Sequence, residues 1–383
     1  MHARIRHLGR DQRGATLIIV GAGFMAFMAA TTLAIDVGMF MTARSQAQNS
    51  ADSGALAGAV ALVFNDFANR TSSGPAVQSA ISAARSNTVM SGVVSVTSGD
   101  VTFPTGPNGN NRVQVTVRRT ASRSNAVPTL IGSMLGVRTV DIMATATAEA
   151  SPANAETCVM PFTIPDKWIE KQTPGWDPDD DFAMYDNKGK LLANPDIYVP
   201  PGQAGYTGYN PTTDKGLELI LKANNASKVA PSIYNPWDLP GSSGGNDYRN
   251  NIAGCNTNVV AMGDMMPPEN GNMVGPTADG TSDLIAKDPN AYWDTLCNCV
   301  KGSKFGQSPR IAIVPLYNPA VYAAGQASGK NAQLQVANYL GFFIEGLQSG
   351  NVVGRITPIS GLIKGGGGPI PTGAFPMAIR LVQ

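Results

Sequence analysis

The chain has 383 residues, of which 43% are apolar and 14% charged, with 42 glycines and 27 prolines; this suits a folded protein of two or three domains with loop-rich parts. Its formal net charge of +1 says little as a total, but its distribution puts no strong polycation downstream of residue 13, so no nucleic-acid partner is expected. The two histidines are His2 and His7, which leaves the rest of the chain without Ser-His-Asp or Cys-His nucleophiles or His-containing zinc sites. The reading is therefore of a non-enzyme without a cofactor.

Residues 1–13 carry Arg4, Arg6, Arg10 and Arg13 against Asp11, a net of +3 that leaves −2 for everything downstream. From Ala15 to Ile35 there are 21 residues without a charge, which at about 1.5 Å each match the roughly 30 Å hydrocarbon core of a bilayer. A cleavable signal peptide would have an apolar core of about 7–15 residues and a small-residue cleavage site, so a retained anchor is expected. The positive-inside rule then puts residues 1–13 in the cytoplasm, a membrane helix at 14–36 and the remainder outside. Asp36 is expected at the interface, in reach of water.

Helical signals continue from about Thr16 to Phe67 without a proline, either as one rod or with a slight break near Gly38. Along the outer half Ala47, Ala51, Ala55 and Ala59 recur every fourth residue, beside Ser50, Gly54 and Gly58. Small residues at this spacing permit close approach of a helix or sheet, and Ala47, Ala51, Gly54, Ala55, Gly58 and Ala59 are the candidate face for a partner helix. Residues 75–90 predict a second helix with Val77, Ile81 and Ala84 on one side. Then "GVVSVTSGDVTF" and "RVQVTVRRTA" alternate around "PTGPNGNN", a hairpin pattern. A short helix at 127–135 and a strand in "RTVDIMATATAEA" complete the order α, α, β, β, α, β of a 37–150 unit.

Composition changes near residue 150: every Trp, Tyr and Cys and 23 of the 27 prolines lie beyond it. Residues 151–383 are expected to form a β-rich, loop-decorated domain with strands in 310–317, 335–347, 351–360 and 375–383. One helix is expected at 214–224, and "KGGGGPIP" (364–371) as a flexible excursion. The overall expectation is an α+β protein.

Cys158, Cys255, Cys297 and Cys299 make an even set in an oxidising compartment. Since one residue separates Cys297 from Cys299, the expected pattern joins each of them to Cys158 or Cys255. Asp177, Asp179 and Asp181 alternate like the start of an EF-hand, but Phe182 and Lys188 stand where that loop needs Gly and Glu; they are weak calcium candidates, and no metal is assigned. The same carboxylates are not singled out as an acid–base pair. Arg118, Arg119 and Arg123 read as solvated strand ends. Trp168, Trp176, Tyr206, Tyr209 and Trp237 could either stack on sugars or fill a core. "GAGFMA" at Gly21 lies inside the span, so it is no nucleotide loop. "DGTSD" (279–283) is the nearest approach to a D-x-S-x-S metal-adhesion motif and lacks its second serine.

The stretch from Arg10 to Ala59, with Arg13-Gly14-Ala15 leading in, Asp36-Val37-Gly38 leading out and "RSQAQNSADSGALAGA" following, resembles the N-terminal segment of TadE/TadG-like proteins of the tight-adherence (Tad, or Flp) pilus assembly system. The resemblance extends more loosely to about residue 150. It implies a pilin-like 37–150 unit in a single-pass bacterial inner-membrane protein with its bulk in the periplasm. It also implies other Tad/Flp assembly proteins as partners, with self-association open. The fifth residue after Gly14 is Ile19 where processed relatives carry Glu, so Arg4 to Arg13 are expected to be kept. The alternative reading is a periplasmic or surface module that binds carbohydrate or calcium.

Overall fold

In a computed structural model the chain is described over residues 12–64, 69–106, 111–173, 175–223, 228–328, 332–364 and 375–382. Helix α1, Gln12–Phe64, is one run of 53 residues, about 80 Å long at roughly 1.5 Å per residue; Gly38 does not interrupt it. Its first part stands clear of the protein, with Leu17, Ile18, Phe24, Met25 and Leu33 exposed. From Ala43 onward every fourth residue is buried.

That burial is intramolecular. Helix α2, Pro75–Arg85, starts with a proline in its first turn, where a missing N–H costs nothing, and buries Ala76, Val77, Ala80 and Ala84. It stops five residues short of the expected end, because Thr88–Val89 leaves to pair with Gly92–Val93. Strands β1 (Val101–Thr102), β2 (Arg112–Arg119) and β3 (Ile142–Pro152) form an antiparallel sheet. Val113, Val115 and Val117 oppose Ala148, Ala146 and Ala144, and all six are buried with the small-residue face of α1. In place of the expected helix at 127–135, Val127–Pro128 pairs with Thr139–Val140 around a single 3-10 turn at Gly132–Leu135.

The last strand, Met377–Val382, was expected in the distal domain but pairs antiparallel with β3. The unpaired edge of β3 would otherwise present a row of backbone donors and acceptors, and this strand covers it. Most of "KGGGGPIP" lies outside the described residues.

The distal part is built from β4 (Phe162–Pro165), β5 (Glu218–Ala223), β6 (Ile233–Pro236), α3 (Gly244–Ala253), β7 (Met265–Met266), α4 (Val274–Lys287), β8 (Ile311–Tyr317), α5 (Pro319–Ala327), β9 (Leu334–Gln348) and β10 (Asn351–Thr357). Strand pairing runs β9-β8-β4-β6-β5-β10 and returns from β10 to β9, so six strands close into a ring, with β7 added along β9. Closure removes free edges. Strand β9 reaches both neighbours because it has 15 residues and a register shift between Ile344 and Gly346. The helix expected at 214–224 is strand β5: Leu219 and Leu221 are buried while Glu218 is exposed, a period of two. Molecular class is thus mixed α+β, a long apolar helix joined to sheet-rich structure.

Candidate membrane-proximal assembly site

The bare half of α1 meets the folded unit at Asp36. Its carboxylate accepts N–H bonds from Leu130 (3.0 Å), Ile131 (3.3 Å) and Gly132 (2.7 Å) and is only 6% exposed. The sequence placed this acid in water; the structure corrects that, since a carboxylate at the end of an apolar stretch is satisfied here by backbone donors. No sequence signal near Asp36 announces the bond, because its partners lie more than ninety positions downstream.

Beyond Asp36 the candidate partner face is already occupied. Ala47, Ala51, Ala55 and Ala59 have no exposed surface. A Cβ on Gly54 would lie 3.0 Å from the Ala80 carbonyl oxygen, and one on Gly58 would lie 2.8 Å from Val113. Ser50 Oγ donates to the Ala84 carbonyl at 2.7 Å. These small side chains let α2 and the sheet approach α1 closely, so the stripe is this unit's own core rather than a face held open for another subunit. Arg4, Arg6 and Arg10 lie outside the described residues, and Arg13 lies in the first turn of α1.

The disulfides also differ from the expected pattern. Cys158 joins Cys255, and Cys297 joins Cys299. Asn298 takes a left-handed φ of 47°, which turns the chain enough to leave the flanking Cα atoms 5.2 Å apart, an ordinary disulfide separation.

The acidic run does not converge. Asp177 Oδ1 accepts from the Asp179 amide, Asp179 Oδ1 takes Lys222 Nζ at 2.9 Å and Ser232 Oγ at 2.5 Å, and Asp181 Oδ1 takes the Val229 amide. Each carboxylate fixes a different turn, and among the described residues no three His, Cys, Asp or Glu are grouped to hold a metal ion. The aromatic candidates are likewise inward: Trp168, Tyr209 and Trp237 are buried, Trp176 packs edge-on to Tyr209, and Lys167 Nζ lies 4.6 Å from the Trp176 ring centre.

Several inward polar groups have no mark in the sequence. Asp166 is fully buried and accepts from the Lys167 and Tyr209 amides and the Tyr198 and Tyr206 hydroxyls. Burial raises its carboxyl to about 6 despite these donors. The cluster ties the 198–209 loop to β4. Arg310 donates to the carbonyls of Ile344, Asp288, Ala291 and Glu345. Arg118 and Arg123 are not solvated ends; both pair with Asp100, at 3.0 and 2.5 Å, while Arg119 is buried on the Val89 and Asn125 carbonyls. Burial would raise the Asp100 carboxyl, but Arg123, the Thr97 amide and Arg118 together hold it well below the usual range.

Against this geometry, residues 14–61 match the model of the Tad family, Flp pilus-assembly TadE/G-like. The segment from Gly14 to Ala61 is TadE/G-like. The matched residues contain the bare apolar half of α1, Asp36 and the buried stripe, and the TadE/G-like match stops where α1 nears its end. No curated protein and no solved structure matched the chain.

Proposed function

We propose that this protein is a non-enzymatic, single-pass inner-membrane component of Tad/Flp pilus assembly, with residues 1–13 cytoplasmic, 14–36 in the bilayer and the rest periplasmic. The observation that carries the reading is the division of α1. Its uncharged half is long and apolar enough to cross a membrane, with an 18-residue window of mean hydropathy 2.1 in which none of the described residues is buried, while its second half is the buried spine of an α+β unit. A helix that protrudes at one end and packs on a sheet at the other is pilin-like in arrangement. The TadE/G-like segment spans both halves.

Since the Ala/Gly stripe is filled from within, contacts with other assembly proteins belong to the bilayer-embedded half of α1 and the outer surfaces of the two sheet units. Association in lipid rests on van der Waals packing rather than on a hydrophobic driving force. Deleting residues 14–36 should release the chain from alkaline-washed membranes and abolish pili in the host bacterium. Retention in the membrane, or normal pili, would refute the reading. The carbohydrate- or calcium-binding alternative gains no support from the inward aromatics and separated aspartates.

A further inference from the structure

The loop bonded to Asp36 carries apolar groups that point away from the protein. Leu130 is 60% exposed and Val137 52% exposed, and the backbone of Leu130, Ile131 and Gly132 is fixed to the Asp36 carboxylate. A lone exposed leucine would mean nothing. Here the position is what matters: Asp36 directly follows the uncharged stretch Ala15–Ile35, so a helix that fills the hydrocarbon core with that stretch sets Asp36, and the loop with it, at the lipid boundary. The exposed side chains of Leu33, Ile35 and Val37 on α1 continue the same apolar belt. Residues 127–140 include no acid, and Arg138 next to Val137 is exposed, an arrangement suited to anionic headgroups above acyl chains.

We propose that the 129–138 loop is a second membrane contact: Leu130 and Val137 enter the headgroup–acyl boundary of the periplasmic leaflet while Arg138 faces lipid phosphate. The inference rests on the anchor reading above. Two attachment points would fix how the folded unit leans on the membrane, because the loop is held by α1 through Asp36 and by the pairing of Val127–Pro128 with Thr139–Val140.

The test uses the full chain reconstituted in phosphatidylethanolamine/phosphatidylglycerol vesicles, labelled with an environment-sensitive fluorophore in separate Leu130→Cys, Val137→Cys, Met25→Cys and Thr102→Cys variants. Thr102 pairs with Gln114 at the far end of the sheet and is exposed. Lipids spin-labelled near the headgroup should quench residues 130 and 137, with a blue-shifted emission, and leave 102 unquenched, while lipids spin-labelled deep in the acyl chain should quench residue 25, which lies at the middle of the uncharged stretch. Adding Asp36→Ala should reduce quenching at 130 without changing that at 25. Quenching at 25 with none at 130 and 137 overturns the loop contact and leaves the anchor standing; no quenching at 25 removes both. A blue shift at 130 that depends on protein concentration, without lipid quenching, would assign the patch to a second copy and overturn the proposal.

Discussion

Glu156 shows how one side chain can set the pH response of this molecule. It is 3% exposed, and its Oε1 has no hydrogen-bond partner; burial raises its carboxyl to about 8 from 4.5. The folded state therefore holds a proton that the unfolded chain has released, and stability falls as pH rises from about 4.5 to about 8. Replacing Glu156 with Gln removes the ionisation. The variant should unfold at a higher temperature than the parent at pH 8, by on the order of a few kcal/mol in stability, and the difference should shrink toward pH 4.5. Tryptophan fluorescence on heating reads this directly, since all four tryptophans lie beyond residue 150. An equal or lower midpoint at pH 8 would mean the carboxylate is stabilised by something other than these neighbours. Nothing in the sequence around Glu156 distinguishes it from a surface acid; its burial comes from pairing of Ala155–Glu156 with Val260–Ala261, a hundred positions away.

At the scale of elements, the small-residue stripe gives the clearest consequence. A Leu at Gly58 must displace Val113, which lies 2.8 Å from the site of its Cβ, and Ala80 at 3.1 Å; overpacking of this kind costs about 1–3 kcal/mol or more. Gly58→Leu should therefore make the 75–152 region sensitive to limited proteolysis while the β4–β10 ring keeps its tryptophan signal. Unchanged proteolysis would mean that the stripe is not core. The disulfides separate similarly. Cys158–Cys255 closes a span of 97 positions and Cys297–Cys299 one of 2, so chain entropy assigns the first about 4–5 kcal/mol and the second much less. Paired Cys→Ser changes should lower the unfolding midpoint strongly at 158/255 and weakly at 297/299. Peptide mapping without reductant should recover the same pairs.

Which elements were legible follows from period and reach. The α1 and α2 helices and strands β2, β3, β8, β9 and β10 declare themselves through runs whose spacing is local. Around strand β5 the sequence "KGLELILKANN" suits both a helical and a strand period, and only flanking by β10 and β6 decides for the strand over the expected helix. Helices α3 and α4 were hidden by composition: Gly280 is needed because a Cβ there would meet the Arg249 carbonyl at 2.7 Å and Ile252 at 2.9 Å. The small-residue face was visible as a close-packing surface; that its partners are α2 and the chain's own sheet depends on contacts of long sequence separation. For the same reason the Asp36 lock and the return of Met377–Val382 to β3 were not legible.

For the molecule as a whole, α1 links two environments. Its apolar half has no protein around it, its buried half is the spine of the proximal unit, and the distal ring is tied back by Lys215 Nζ to the Phe64 carbonyl at 3.1 Å and by the last strand on β3. The seam where Ala155 meets Leu362 adds backbone bonds. The proposed single crossing of the membrane would separate Arg4–Arg13 from everything after Asp36, and acylation of lysines by a membrane-impermeant reagent tests it. Every lysine of the chain lies beyond residue 150, with Lys171, Lys188 and Lys190 exposed, and Arg6→Lys adds an amine on the other side without changing charge. In intact spheroplasts Lys171, Lys188 and Lys190 should be acylated and the introduced amine only after permeabilisation. Acylation of the introduced amine in intact spheroplasts, or protection of the three exposed lysines, would contradict a single N-terminal anchor of this orientation.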